Sequence, residues 1–205
     1  MLAAGAAAGV LGAALWWRKN PSACPYSQRF WVDAPHPLIS RSRLRTVLRP
    51  RLGERILEVG VGTGYYSLDL AEWTGAAGTI ELFDLQREML DHVLRRADER
   101  GVANLIATEG DATALPYDAG SMDAVVLTAV LGEIPDRQAA MNEIARVLRP
   151  GGRLVVGELF GDPHFTTPPE VERLGRAAGL TLENRSGPWV GSFSLLRKPA
   201  APRPA

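Results

Sequence analysis

Apolar positions in this chain come in two alternating rhythms. Short runs of three or four, such as Ile56-Leu57-Glu58-Val59, Ile80-Glu81-Leu82-Phe83, Ala124-Val125-Val126-Leu127 and Leu154-Val155-Val156, read as strands buried on both faces. Between them the apolar residues fall at helical spacing: Met89, Leu90, Val93, Leu94 and Ala97 within Gln86 to Arg100, and Met141, Ile144, Ala145 and Leu148 within Asp136 to Leu148. Glycine or proline stops each helix, at Gly101 and at Pro150-Gly151-Gly152. Further segments complete the series: a helix over Tyr65 to Trp73, a strand over Leu105 to Thr108, a helix over Pro169 to Ala178, and strands over Leu180 to Glu183 and Ser192 to Arg197. Strands alternating with helices predict an open, mostly parallel α/β sheet whose ligand lies across the carboxyl ends of its strands.

The first strand ends in Gly60-Val61-Gly62-Thr63-Gly64. Residues without a Cβ reach positive φ and let a ligand lie against bare backbone, with helix-start N–H groups aimed at it. A GxGxxG dinucleotide turn would need a third glycine where Tyr65 stands, and no Gly-Lys-Ser/Thr phosphate loop is present. A strand-to-helix crossover without a ligand is the bland alternative. Asp84 follows the second strand, 20 residues past Gly64, the separation at which a strand-end carboxylate meets ribose hydroxyls.

Glu58 to Gly64 resembles the first motif of the class I S-adenosylmethionine-dependent methyltransferases, and Arg146-Val147-Leu148-Arg149-Pro150-Gly151-Gly152 resembles the signature of the ubiquinone and menaquinone C-methyltransferases. The resemblance implies a Rossmann-like sheet of seven strands with the last one antiparallel, S-adenosylmethionine as cofactor, and a donor site made by Glu58, Gly60, Gly62, Gly64, Asp84, Leu85, Asp111, Ala112 and Thr128. In the family the aspartate at Asp111 bonds the adenine amino group; read from the residues alone it is a turn aspartate. The chain departs from the quinone group in lacking its N-terminal Tyr-Asp-x-Met-Asn signature.

Methyl transfer from a sulfonium is an in-line displacement, so the protein's task is alignment and exclusion of water. Carbon or oxygen acceptors must lose a proton. His164 and Glu133 are the catalytic candidates, with Asp162 beside them and Tyr26 and His36 available from the N-terminal arm. No metal is expected, because one cysteine and three histidines make no ligand cluster.

Composition changes the picture at the N-terminus. Residues 1–17 carry no charge and end in Trp16-Trp17, followed by Arg18-Lys19, which reads as a membrane anchor; the alternative is an Ala/Gly-rich leader. Nine basic residues against two acidic ones from Arg18 to Arg55 place the catalytic domain on the cytoplasmic side, with a soluble cytoplasmic protein as the alternative. Residues 18–53 form a Pro- and aromatic-rich arm that packs on the body, plus a lead-in helix capped by Ser40; 54–198 form the methyltransferase domain and 199–205 a frayed tail. The 23 basic and 23 acidic residues balance, so no overall field attracts nucleic acid. The expected function is transfer of a methyl group to a small hydrophobic or lipid-like acceptor, a quinone precursor or lipid; a membrane-tethered donor-binding scaffold without turnover is the alternative.

Overall fold

The computed structural model describes residues 21–30 and 36–201. Within them are seven strands and five α-helices: α1 (Arg41–Leu48), β1 (Arg55–Val59), α2 (Ser67–Thr74), β2 (Thr79–Asp84), α3 (Arg87–Glu99), β3 (Leu105–Glu109), β4 (Met122–Thr128), α4 (Arg137–Val147), β5 (Leu148–Leu159), α5 (Pro168–Ala177), β6 (Thr181–Ser186) and β7 (Gly191–Arg197). One sheet has the order β3-β2-β1-β4-β5-β7-β6. β7 runs antiparallel to both neighbours, and the other pairings are parallel. The expected seven-stranded sheet with an antiparallel last strand is therefore what forms.

The continuous apolar runs explain the layers. Leu57, Val59, Val125, Leu127, Leu154 and Val156 project to one face, where α4 and α5 bury Met141, Ile144, Val171 and Leu174. Ile56, Ile80, Leu82, Val126, Val155 and Phe193 project to the other, under α1, α2 and α3. Side chains alternate across a strand, so a strand apolar at every position needs cover on both sides. α1 docks because Leu44, Val47 and Leu48 share one face and are buried, each such side chain contributing about 1.5–3 kcal/mol. The hydroxyl of Ser40 caps it by accepting from the Arg43 N–H at 3.4 Å.

Several boundaries differ from the sequence expectation. α2 begins at Ser67, because residues 61–66 wind as turns around the tip of β2. Arg149 to Gly152 do stop α4, yet they then continue as strand: the Gly151 N–H donates to the Lys198 carbonyl at 3.0 Å. The arm is only partly extended and only partly packed. Tyr26–Gln28 makes one 3-10 turn, Tyr26 is held against α3, and Phe30 stays 75% exposed. His92, expected at a surface, is the residue that receives Tyr26: its Nδ1 lies 3.2 Å from the Tyr26 hydroxyl and the rings meet edge to face. The anchor assigned to 1–17, part of the arm and the end of the tail lie outside the described residues. Among the described residues no helix is long and apolar enough to cross a membrane.

Candidate functional site

Because β1 leads outward to β2 and β3 on one side while β4 and β5 extend on the other, a crevice opens at the carboxyl ends of β1 and β4. Gly60, Gly62 and Gly64 line its floor with φ of +71°, +51° and +78°, a region that side chains avoid. Two of them also have no room for a side chain. A Cβ on Gly60 would lie 2.3 Å from a Val130 methyl, and one on Gly64 2.9 Å from a Val93 methyl. The N–H groups of Gly60 and Gly64 are spent inside the fold, on the carbonyls of Phe83 at 2.7 Å and Val61 at 2.9 Å, so these glycines offer bare backbone rather than free donors. Arg96, reaching from α3, steadies the turn by donating to the Thr63 carbonyl at 2.5 Å.

Asp84 ends β2 against this turn. Its Oδ2 accepts from the Gly62 N–H at 3.3 Å and its Oδ1 from the Gln86 N–H at 2.9 Å, and it is 7% exposed. Burial pushes its carboxyl up; the backbone donors only moderate the effect. Glu58, one strand over, is buried with its Oε2 accepting from the Ser67 hydroxyl at 2.5 Å, and burial raises its pKa to about 8. Leu85 is exposed beside Asp84, and Ala112 is buried in the core nearby. Asp111 is exposed and its Oδ1 accepts from the N–H and hydroxyl of Thr113, both at 2.8 Å, an Asx turn. Thr128 ends β4, and its buried Oγ1 has no hydrogen-bond partner among the described residues. The next residue, Ala129, sits at φ +55°, a strained conformation for a non-glycine residue that directs the chain toward Val130 and the glycine turn.

The far wall carries more carboxyls. Glu133 follows β4 in a 3-10 turn, Leu131–Glu133; burial raises its pKa to about 8, Asp162 adds to the rise, and the Cys24 N–H facing it opposes it. Glu158, on β5, is 3% exposed; its Oε2 accepts from the Thr166 N–H at 3.0 Å, its Oε1 is buried without a hydrogen-bond partner among the described residues, and burial raises its pKa to about 8. Asp162 accepts from the His164 N–H at 2.6 Å, and burial pushes its carboxyl up. His164 is 5% exposed, with its backbone closed against Gly132, where a Cβ would overlap the His164 carbonyl. His36, on the arm, has a buried Nδ1 without a partner, and burial lowers its pKa.

Glu158 and Gln86 were not singled out by the sequence. Gln86 clamps the arm across the crevice: its Oε1 accepts from the Tyr26 N–H at 3.1 Å and its Nε2 donates to the Cys24 carbonyl at 2.8 Å. The only available signal was a glutamine two residues past a strand-end aspartate. Glu158 had none, because an acidic residue within a strand acquires meaning only from its burial.

A methyltransferase-domain family model matches residues 56–152. The chain is 36% identical over 115 residues to the ubiquinone/menaquinone biosynthesis C-methyltransferase UbiE of Cellvibrio japonicus, covering 56% of this chain and 46% of that protein. It is 37% identical over 103 residues to the demethylmenaquinone methyltransferase of Lactococcus lactis, covering 50% and 41%. The chain thus spans about half the length of the curated relatives it matches. Among solved structures, an S-adenosylmethionine-dependent methyltransferase from Aquifex aeolicus superposes with a TM-score of 0.77 at 18% identity, covering 85% of this chain and 98% of that one. The [4+2]-cyclase SpnF superposes at 0.70 with 21% identity, covering 78% and 80%. Residues 56–152 are thus similar to methyltransferase domains, and the fold is that of S-adenosylmethionine-dependent methyltransferase structures. The relatives that match in sequence carry the names of ubiquinone/menaquinone C-methyltransferases and demethylmenaquinone methyltransferases.

The crevice fits the family's cofactor. S-Adenosylmethionine carries a sulfonium and an ammonium, and Glu58 and Asp84 are buried carboxyls beside the glycine turn with no Lys or Arg ion pair among the described residues. The buried Thr128 hydroxyl, without a hydrogen-bond partner among the described residues, is a further polar group at the end of β4.

Proposed function

We propose that the chain transfers a methyl group from S-adenosylmethionine to a small hydrophobic acceptor associated with a membrane, a quinone precursor or a lipid. The observation that carries this reading is the crevice at the tips of β1 and β4, with bare glycine backbone and the Asp84 carboxyl on one wall and the Glu133 carboxyl on the other. The donor supplies an already activated methyl group.

Everything else falls to the chain. Gly60, Gly62 and Gly64 let the adenosyl part approach, Asp84 accepts its ribose hydroxyls, and Leu85 and Ala112 flank the ring beside Asp111. Glu58 and Thr128 serve the charged amino-acid part. Glu133 takes the proton that a phenolic or enolic acceptor must lose: burial holds its carboxyl at about 8, and the bound donor's positive charge brings it down toward neutral pH, where the ionised form is the base. His164 packs beneath this wall through Gly132 and orients it. The arm over the crevice, held by Gln86, excludes water from the transfer. The acceptor class is supported by relatives whose names place them in ubiquinone and menaquinone biosynthesis and by the uncharged stretch at 1–17.

A second reading keeps donor binding and removes turnover: SpnF shows that a protein named as a cyclase shares this fold. One experiment separates them. Full-length protein is incubated with donor labelled in its methyl group and a membrane-lipid extract. Label recovered in an extractable product, and reduced by Glu133→Gln while donor affinity holds, supports methyl transfer; donor binding without any labelled product supports the scaffold.

A further inference from the structure

Three large apolar side chains stand exposed together at the rim of the acceptor wall: Phe160 at 60%, Trp189 at 54% and Val190 at 42%. They come from two segments joined by a hydrogen bond, the Phe160 N–H to the Val190 carbonyl at 2.8 Å, just where Leu159 at the end of β5 pairs with Gly191 at the start of β7. Phe160 leans edge to face on Phe165, so the patch is braced from beneath. Asp162, two residues past Phe160, reaches electrostatically to Glu133 and Cys24. The patch therefore borders the crevice.

We infer that Phe160, Trp189 and Val190 form the surface by which this domain rests on a lipid bilayer, so that the acceptor wall of the crevice opens toward the membrane. This rests on the methyltransferase reading above and names the source of its acceptor. Two observations select a bilayer as the occupant. The described chain enters at Pro21 to Tyr26 directly over the crevice, tied there by Gln86 and facing Glu133, and what precedes it in sequence is the uncharged stretch 1–17 followed by Arg18-Lys19. A stretch that enters a bilayer would thus do so from the same end of the sheet that bears the patch. An aromatic pair with a β-branched neighbour is also the composition that partitions into the headgroup boundary, tryptophan foremost. At the opposite end of the sheet, Leu52, 80% exposed ahead of β1, supplies an internal control.

The test uses the full chain with Cys24→Ser and a single new cysteine, Val190→Cys or Leu52→Cys, each carrying an environment-sensitive fluorophore. Each is mixed with vesicles of phosphatidylcholine and phosphatidylglycerol. The expected result is a blue shift and quenching by brominated acyl chains at position 190 and neither at 52; Phe160→Ser with Trp189→Ser abolishes the response at 190 while S-adenosylmethionine affinity is unchanged. The inference is overturned if both positions respond alike, if the chain floats with vesicles while position 190 stays in water, or if the chain leaves vesicles alone. A blue shift at 190 that appears without lipid and grows with protein concentration makes a second copy of the chain the occupant and likewise overturns it. Donor titration in the same samples reports separately whether the methyltransferase reading stands.

Discussion

The two ends of the sheet treat buried charge in opposite ways. At the amino end, Arg153 and Glu54 form a two-pronged pair at 2.5 and 2.8 Å, both almost fully buried, and two further guanidinium protons go to the Leu48 and Arg49 carbonyls. Arg55 with Glu81 and Arg149 with Asp123 repeat the arrangement nearer solvent. At the carboxyl end, Glu58, Asp84 and Glu158 are buried and Glu133 and Asp162 partly so, with no Lys or Arg ion pair among the described residues, and desolvation raises the pKa of each. A satisfied pair closes a structure. Carboxyls left without a counter-charge cost stability and persist where a ligand completes them.

Breaking each end should therefore have opposite consequences. The largest effect is expected from Arg153→Met, which strands Glu54 in the interior and should cost about 3–5 kcal/mol in urea unfolding. Glu158→Gln, tested beside it at pH 8, should leave stability unchanged or raised, because the amide oxygen can keep the Thr166 N–H while the buried charge disappears. A comparable loss from both would erase the distinction.

Next in size is Gly60→Ala. A left-handed φ costs a side chain about 1–2 kcal/mol, and the overlap with Val130 adds to it. Thermal unfolding should show the loss, and equilibrium titration a weakened donor affinity. Asp84→Ala should cost roughly 1.5–3 kcal/mol of donor binding by removing a charged acceptor, with little loss of stability because the wild-type carboxyl is itself held above its usual range. Unchanged donor affinity would take Asp84 out of the site.

The pH dependence follows from the same carboxyls. Glu58, Glu133 and Glu158 hold protons in the folded chain that the unfolded chain has lost above its ordinary value of 4.5. Their contribution is most favourable below that value and declines as pH rises toward about 8. Donor-free protein should thus lose stability between about pH 5 and 8, and saturating donor should flatten the slope by supplying positive charge. A donor-free curve that rises through this window would contradict the unpaired state of these groups.

How much of this could be read from the sequence also divides along the crevice. The donor wall was legible because its chemistry is local: three glycines after a strand specify a backbone, and Asp84 is placed by counting along the chain. The layered sheet was legible for a similar reason, since runs such as Ala124 to Leu127 have to be covered on both faces. The acceptor wall was not. Glu158 and Asp162 lie on neighbouring segments, and their character comes from burial that Arg137 and His164 nearby only partly offset, which is a tertiary fact. Gln86 read as an ordinary helix start, while in the fold it bridges 62 residues to hold Cys24. His164 stands out in the sequence by its titration range, while its 5% exposure and the seating of its backbone against Gly132 are set by the fold.

The central claim, that the carboxyl end is an unneutralised site for a cationic methyl donor, is tested most directly by calorimetric titration of the full chain with S-adenosylmethionine at pH 7 in two buffers of different ionisation heat. Binding at one site with net proton release is predicted, because the donor's positive charge lowers carboxyls that burial had raised, Glu58 first. Binding with no proton released, or no binding at millimolar donor, would contradict it.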